Sequence, residues 1–172
     1  VMLRWGLIPS WAKDPKIGHQ CINAKAETVA EKPSFRAAFK SRRCLVIATG
    51  FYEWQLRGRA KQPMWIGLKS HRPFAFAGLW EQWQPPDGAV IESCTILTTE
   101  PNELLKPIHN RMPVILAPTA YDQWLDPTFQ RAEYLKALLR PYPSEELLAY
   151  PVSTLVNNPR HDAPECLEPL PV

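Results

Sequence analysis

No stretch of this sequence approaches the roughly 20 consecutive apolar residues that a helical membrane span requires, and no membrane partner is expected. Four cysteines, Cys21, Cys44, Cys94 and Cys166, form no Cys-x-x-Cys pair, and no histidine stands at metal-ligand spacing from them. Neither a metal centre nor a cofactor is therefore expected. Gly-x-Ser-x-Gly and His-Glu-x-x-His are both missing, so a conventional hydrolase would lack its nucleophile elbow or its zinc ligands. A strong charge of one sign is missing too: 20 basic residues face 17 acidic ones, a net charge of +3. That balance does not by itself demand a nucleic-acid partner, and it does not oppose one. There is no internal repeat, linker or low-complexity segment.

What is present fits one soluble α+β domain over residues 1–172, expected as a monomer. A chain of 172 residues can build a sizeable core, since a domain of about 150 residues buries roughly 70% of its unfolded surface. Nineteen prolines, against a usual share of about 5%, imply ordered loops and short elements in place of long helices. Cys44 and Cys94 lie in apolar strand patterns and read as buried thiols. A reducing compartment fits, although an even number of cysteines leaves a disulfide open.

Along the chain, Trp5-Gly6-Leu7-Ile8 ends a strand and Pro9-Ser10-Trp11 turns it. Glu27 to Lys40 reads as two short helical pieces divided near Pro33, closed by Ser41-Arg42-Arg43, whose charge suits a helix C-terminus or a phosphate. Strands follow at Cys44–Ala48, Phe51–Glu53, Met64–Leu68, Phe74–Trp80, Cys94–Thr99 and Val114–Ala117. Arg57-Gly58-Arg59-Ala60-Lys61 forms a basic hairpin tip, and Pro85-Pro86-Asp87-Gly88 a turn. Pro101 to Lys106 is expected to make one helical turn that delivers Ile108-His109. Thr119 caps a helix through Leu125; Phe129, Ala132, Leu135 and Leu139 stripe a later one; a third begins at Ser144; Tyr150–Ser153 is the last strand. The sum is mainly antiparallel sheet, a partly open barrel, with inserted short helices.

Three stretches carry chemistry. In Gly50-Phe51-Tyr52-Glu53-Trp54, strand alternation puts Phe51 and Glu53 on one face and Tyr52 and Trp54 on the other. Glu53 is thus an acid among large rings, and desolvation raises a carboxyl pKa toward the range of a useful proton carrier. Ile108-His109-Asn110-Arg111-Met112-Pro113 joins a residue that titrates near neutral pH to a cation and an amide. Ile22-Asn23-Ala24-Lys25-Ala26-Glu27-Thr28 supplies another amide and another cation. Polar groups in apolar settings need partners, so Asn23, Glu53 and His109 are expected to converge.

These stretches, together with Trp5-Gly6-Leu7-Ile8-Pro9-Ser10-Trp11, Phe76-Ala77-Gly78-Leu79-Trp80 and Pro164-Glu165-Cys166, occur in an order that resembles the SRAP family. That is the SOS response-associated peptidase, or abasic-site processing, family, and the resemblance covers nearly the whole chain. It implies a protein that binds single-stranded DNA carrying an abasic site. Capture is covalent, through a cysteine exposed at the mature N-terminus: its α-amine condenses with the ring-opened sugar and its thiol closes a thiazolidine. It also implies self-processing of the N-terminus, the activity behind the peptidase name, and a lyase-like reactivity toward the lesion. Asn23, Glu53 and His109 would be catalytic: Asn23 bonding the sugar or amine, Glu53 carrying protons, His109 acting on the ring oxygen. Trp11 would stack at the lesion, while Lys25, Arg111 and Thr98 would hold phosphates. The implied location is bacterial cytoplasm, at the nucleoid, or a eukaryotic nucleus.

The sequence departs from the family twice. Its Met-Cys-Gly-Arg start is absent, and Val1-Met2-Leu3-Arg4-Trp5 reads as mid-strand. Residues are accordingly expected before Val1, and the chain as printed is expected to bind abasic DNA without cross-linking it. Lys25 and Asn110 stand where arginine and aspartate are frequent, so the bidentate fork at one position and a carboxylate at the other are lost. Two rival readings stand beside capture. One is a non-catalytic single-strand-binding module that needs Trp11, Lys25, Arg43 and Arg111 only. The other is a Glu/His peptidase acting on other proteins.

Overall fold

The computed structural model describes residues 1–85 and 87–171, so the turn expected at Pro85–Gly88 falls partly outside the described residues. The strands are β1 (Arg4–Trp5), β2 (Asn23–Lys25), β3 (Arg43–Ala48), β4 (Phe51–Arg57), β5 (Ala60–Leu68), β6 (Phe74–Trp83), β7 (Ile91–Thr99), β8 (Met112–Pro113), β9 (Ile115–Leu116) and β10 (Leu147–Pro151). The helices α1 (Arg36–Ser41), α2 (Tyr121–Leu125) and α3 (Ala132–Ala137) are one or two turns long, joined by 3-10 turns. This is the mixed α+β architecture expected from the run of short strands with inserted helices, the helices as short as the proline content implies, with open sheet orders among the described residues.

The chain alternates between two compact units: Val1–Ile47, Ala75–Thr99 and Pro113–Pro141 in the first, Ala48–Phe74, Glu100–Met112 and Tyr142 to the end in the second. The first unit is built on the sheet order β1-β7-β6-β3. β6 and β7 run antiparallel, with Gly78 opposite Ile96 and Trp80 opposite Cys94. β1 and β2 both lie parallel to β7, one after the other: Trp5 opposite Cys94, then Asn23 opposite Ile96 and Lys25 opposite Thr98. Leu7, Ala24, Val29, Phe39, Leu79, Leu97, Val114 and Trp124 are sealed in its core. Burying each large apolar side chain contributes about 1.5–3 kcal/mol, which is what holds such short elements in place.

Two local expectations change in this unit. The first helical piece is a run of turns around Thr28 and Lys32, and only Arg36–Ser41 winds into helix. The segment before α2 starts with Pro118 in its first turn and no side-chain cap, so Thr119 does not cap it. Proline's fixed φ and missing N–H serve that position in place of a hydroxyl.

A third change is larger. Arg43 is 5% exposed and is not available to phosphate. Its Nε donates to the Trp124 carbonyl at 2.6 Å, Nη1 to Phe39 and Lys40 at 2.8 and 2.6 Å, and Nη2 to Phe129 at 3.0 Å and to Asp126. The guanidinium also lies 5.7 Å from the Trp124 ring centroid. One buried cation thus satisfies the orphan carbonyls at the ends of α1 and α2, where the helix dipole favours positive charge. Arg42 is committed as well, at 2.7 Å from Glu81.

The second unit is the antiparallel sheet β10-β5-β4. Tyr52 faces Trp65 and Glu53 faces Met64 across β4 and β5, and Tyr150 faces Trp65 across β5 and β10. Trp65 stacks on Tyr150 with ring centroids 5.0 Å apart. Its indole fills the space beside Gly50, where an added Cβ would sit 2.4 Å from the ring. That close approach is why a glycine opens the Gly50–Trp54 stretch. All four cysteines are free thiols.

Candidate functional site

In the second unit, β4 sorts its side chains by parity. Tyr52 donates its hydroxyl to the Cys166 carbonyl at 3.1 Å, and Trp54 donates its indole N–H to Asn157 Oδ1 at 2.7 Å. Those two fasten the C-terminal segment to one face. Glu53 and Gln55, on the other face, meet the loop that carries His109. The Glu53 carboxylate lies 3.6 Å from His109 Nδ1, with 20% of its side chain exposed against 42% for the histidine. That separation suits an ion pair and is too long for a direct hydrogen bond. Burial pushes the Glu53 carboxyl up, and His109 opposes the shift.

Two successive hydrogen-bonded turns deliver His109, the first closed by Lys106 N–H donating to the Asn102 carbonyl at 2.9 Å. Asn102, 9% exposed, starts the first: its Oδ1 accepts from Leu105 N–H at 3.1 Å and its Nδ2 donates to the Tyr142 carbonyl at 2.7 Å. Ile108 and His109 N–H then both donate to the Leu105 carbonyl at 2.8 Å. Gln55 holds the far side, donating Nε2 to the Pro107 carbonyl at 3.1 Å while its Oε1 accepts from Arg57 Nε at 2.9 Å. His109 Nδ1 is bracketed by the Arg111 backbone: the N–H at 3.2 Å and the carbonyl at 3.1 Å. An unprotonated Nδ1 accepts the first, and a protonated Nδ1 donates to the second while facing the Glu53 carboxylate as an ion pair. The loop therefore receives the imidazole in either state with little rearrangement, a property proton transfer needs. Gln55 and Asn102 escaped the sequence reading. Gln55 had a signal, two residues from Glu53 on one strand face; Asn102 had one as a capping residue ahead of a turn.

In the first unit, β2 and β7 bring Asn23, Lys25 and Thr98 onto one ladder. Lys25 stands opposite Thr98, Asn23 stands one same-face position earlier, and the Thr98 carbonyl accepts from Ala26 N–H at 2.9 Å. Ala24 between them is 1% exposed, so the pleat turns the amide and the ammonium outward. Trp11 is 58% exposed, its indole N–H directed at the Pro33 carbonyl at 3.4 Å. An exposed tryptophan anchored at one edge presents an open ring face. Among the described residues, no group of three or more His, Cys, Asp or Glu side chains is placed to hold a metal ion.

The family model described as SOS response associated peptidase (SRAP) matches residues 1–159. The abasic site processing protein YoqW of Bacillus subtilis is 53% identical over 167 residues, covering 96% of this chain and 75% of that protein. The abasic site processing protein HMCES of Xenopus tropicalis is 37% identical over 188 residues, covering 96% of this chain and 56% of that one. A crystal structure of a protein from Bacteroides thetaiotaomicron superimposes with a TM-score of 0.91 at 34% identity, covering 98% of this chain and 75% of that one. The chain belongs to the SRAP family.

Proposed function

We propose that this protein processes abasic sites by binding single-stranded DNA at the lesion and capturing the sugar covalently. The observation that carries the reading is the Glu53–His109 pair: a carboxylate shifted upward by burial, 3.6 Å from an imidazole whose loop accepts both protonation states. Relatives named as abasic site processing proteins, such as YoqW of Bacillus subtilis, support the substrate.

His109 delivers a proton to the ring oxygen of the abasic sugar, opening it to the aldehyde. An α-amine adds to that aldehyde and water leaves, giving an imine; the thiol of the same residue adds to the imine carbon, the nitrogen takes a proton, and a thiazolidine closes. Glu53 moves the protons these steps release and consume, and serves the N-terminal self-processing the family is named for. The nucleophile is assigned to an N-terminal cysteine, because amine and thiol must sit on one residue. Cys21, Cys44, Cys94 and Cys166 are internal and are not assigned the role. Asn23 hydrogen-bonds the sugar or the amine. Lys25, Thr98 and Arg111 hold phosphates, and Trp11 stacks on a base.

Fluorescence anisotropy with three labelled DNAs tests the binding half: an abasic single strand, an intact single strand and an intact duplex. The abasic single strand is expected to bind most tightly. Equal affinity for the duplex would sink the reading.

A further inference from the structure

The tip of the β4–β5 hairpin holds a feature that the lesion chemistry does not use. Arg57 and Ala60 pair across a two-residue loop, Gly58–Arg59, with Gly58 at φ +61°, the left-handed region that a glycine-first two-residue hairpin turn requires. Residues 56–61 are all exposed, and three of them, Arg57, Arg59 and Lys61, are cations. No acidic residue occurs between Glu53 and Glu81. Without these three, the remaining 17 basic residues would balance the 17 acidic ones, so the net +3 of the chain equals the charge of this tip. Leu56, 67% exposed and opposite Lys61, adds an apolar contact among the charges.

Geometry ties the tip to the lesion. Glu53, Gln55 and Arg57 share one face of β4, and Gln55 Oε1 holds Arg57 Nε at 2.9 Å. Four residues of strand span about 13 Å, the length of at most about four stacked nucleotides at roughly 3.4 Å each. A strand whose abasic sugar lies at Glu53 has its backbone within reach of the tip on one side of the lesion and not on the other.

We propose that the β4–β5 hairpin tip is a second phosphate-binding element, through Arg57, Arg59 and Lys61, that lengthens the single-strand footprint to one side of the abasic site. The inference rests on the DNA reading above. Its occupant is the DNA backbone, because arginine and lysine side chains are the principal partners of phosphate oxygens and three of them stand together on this exposed tip.

The test uses the full chain and stable abasic-analogue oligonucleotides: a five-nucleotide core with the lesion at its centre, and the same core extended by six nucleotides on the 5′ side, the 3′ side or both. Extension on one side is expected to tighten binding by at least about threefold, through two or three added phosphate contacts. Arg57→Gln/Arg59→Gln/Lys61→Gln should abolish that gain and flatten the log–log salt slope by about 1.4–2.1, at about 0.7 per phosphate. Arg57→Lys/Arg59→Lys/Lys61→Arg should retain the gain, and the thermal midpoints of both variants should match the parent. A gain that survives the glutamine variant overturns the inference, as does the absence of any gain. Equal losses on both sides would reveal only a long-range field and would overturn it as well. Failure of every oligonucleotide, core included, would overturn the DNA reading along with it; binding of the core with no hairpin-dependent gain overturns the inference alone.

Discussion

Glu53 is pulled two ways: burial raises its carboxyl pKa, and His109 at 3.6 Å opposes the shift. The net direction is upward, which fixes the sign of a pH effect. A carboxyl raised in the folded state contributes stability that is complete below the ordinary glutamate value of about 4.3 and is lost as pH rises through the folded-state value. Glu53→Gln removes the ionisation, so its thermal midpoint should exceed the parent's at pH 7 and converge with it near pH 4. A difference that grows toward acid would contradict the burial account. Trp11 makes a separate claim at this scale. Its ring is 58% exposed, and Trp11→Ala should cost about 1–3 kcal/mol of single-strand affinity if a base stacks there. Unchanged anisotropy in that variant would remove Trp11 from the interface. Among the thiols, burial pushes Cys44 up to about 12. Iodoacetamide at pH 8 should therefore leave Cys44 unmodified in the folded protein and label it in urea, as read by mass spectrometry.

At the scale of elements, β4 is the organising piece, and its logic was readable because the side-chain period of a strand is two. Alternation alone separated Glu53 from Tyr52 and Trp54, and the structure adds what each face meets: the His109 loop on one, Cys166 and Asn157 on the other. Arg43 was not readable in the same way. A cation after a helix suits the dipole whether it faces water or the interior, and only the folded chain shows it bonding carbonyls from both α1 and α2. Arg43→Met should lower stability in urea titrations by on the order of 3 kcal/mol or more, because several buried acceptors lose their donor together. Arg43→Lys should recover less than half of that, since an ammonium cannot span the same carbonyls. Wild-type stability in either variant would mean that water replaces the guanidinium. The succession of β1 and β2 along β7 was also hidden: parallel pairing over some 70–90 residues leaves no local pattern in any one segment.

At the scale of the whole molecule, six short motifs in family order were legible because each is a run of unusual neighbours, whereas Gln55 and Asn102 are ordinary residues whose importance comes from the loop they hold. The family follows from the matches, and the central claim built on it is that Glu53 and His109 run the proton transfers of covalent capture. General acid–base groups contribute typically about 100- to 10,000-fold to a rate. The direct measurement is the rate of adduct formation between the full-length protein and abasic single-stranded DNA, followed by denaturing gel electrophoresis for the parent, Glu53→Gln and His109→Gln. The parent should give a durable shifted band, with Glu53→Gln slower by about 100-fold or more and His109→Gln slowed chiefly in ring opening and in reversal of the adduct. Parent-like rates in both variants would contradict the account.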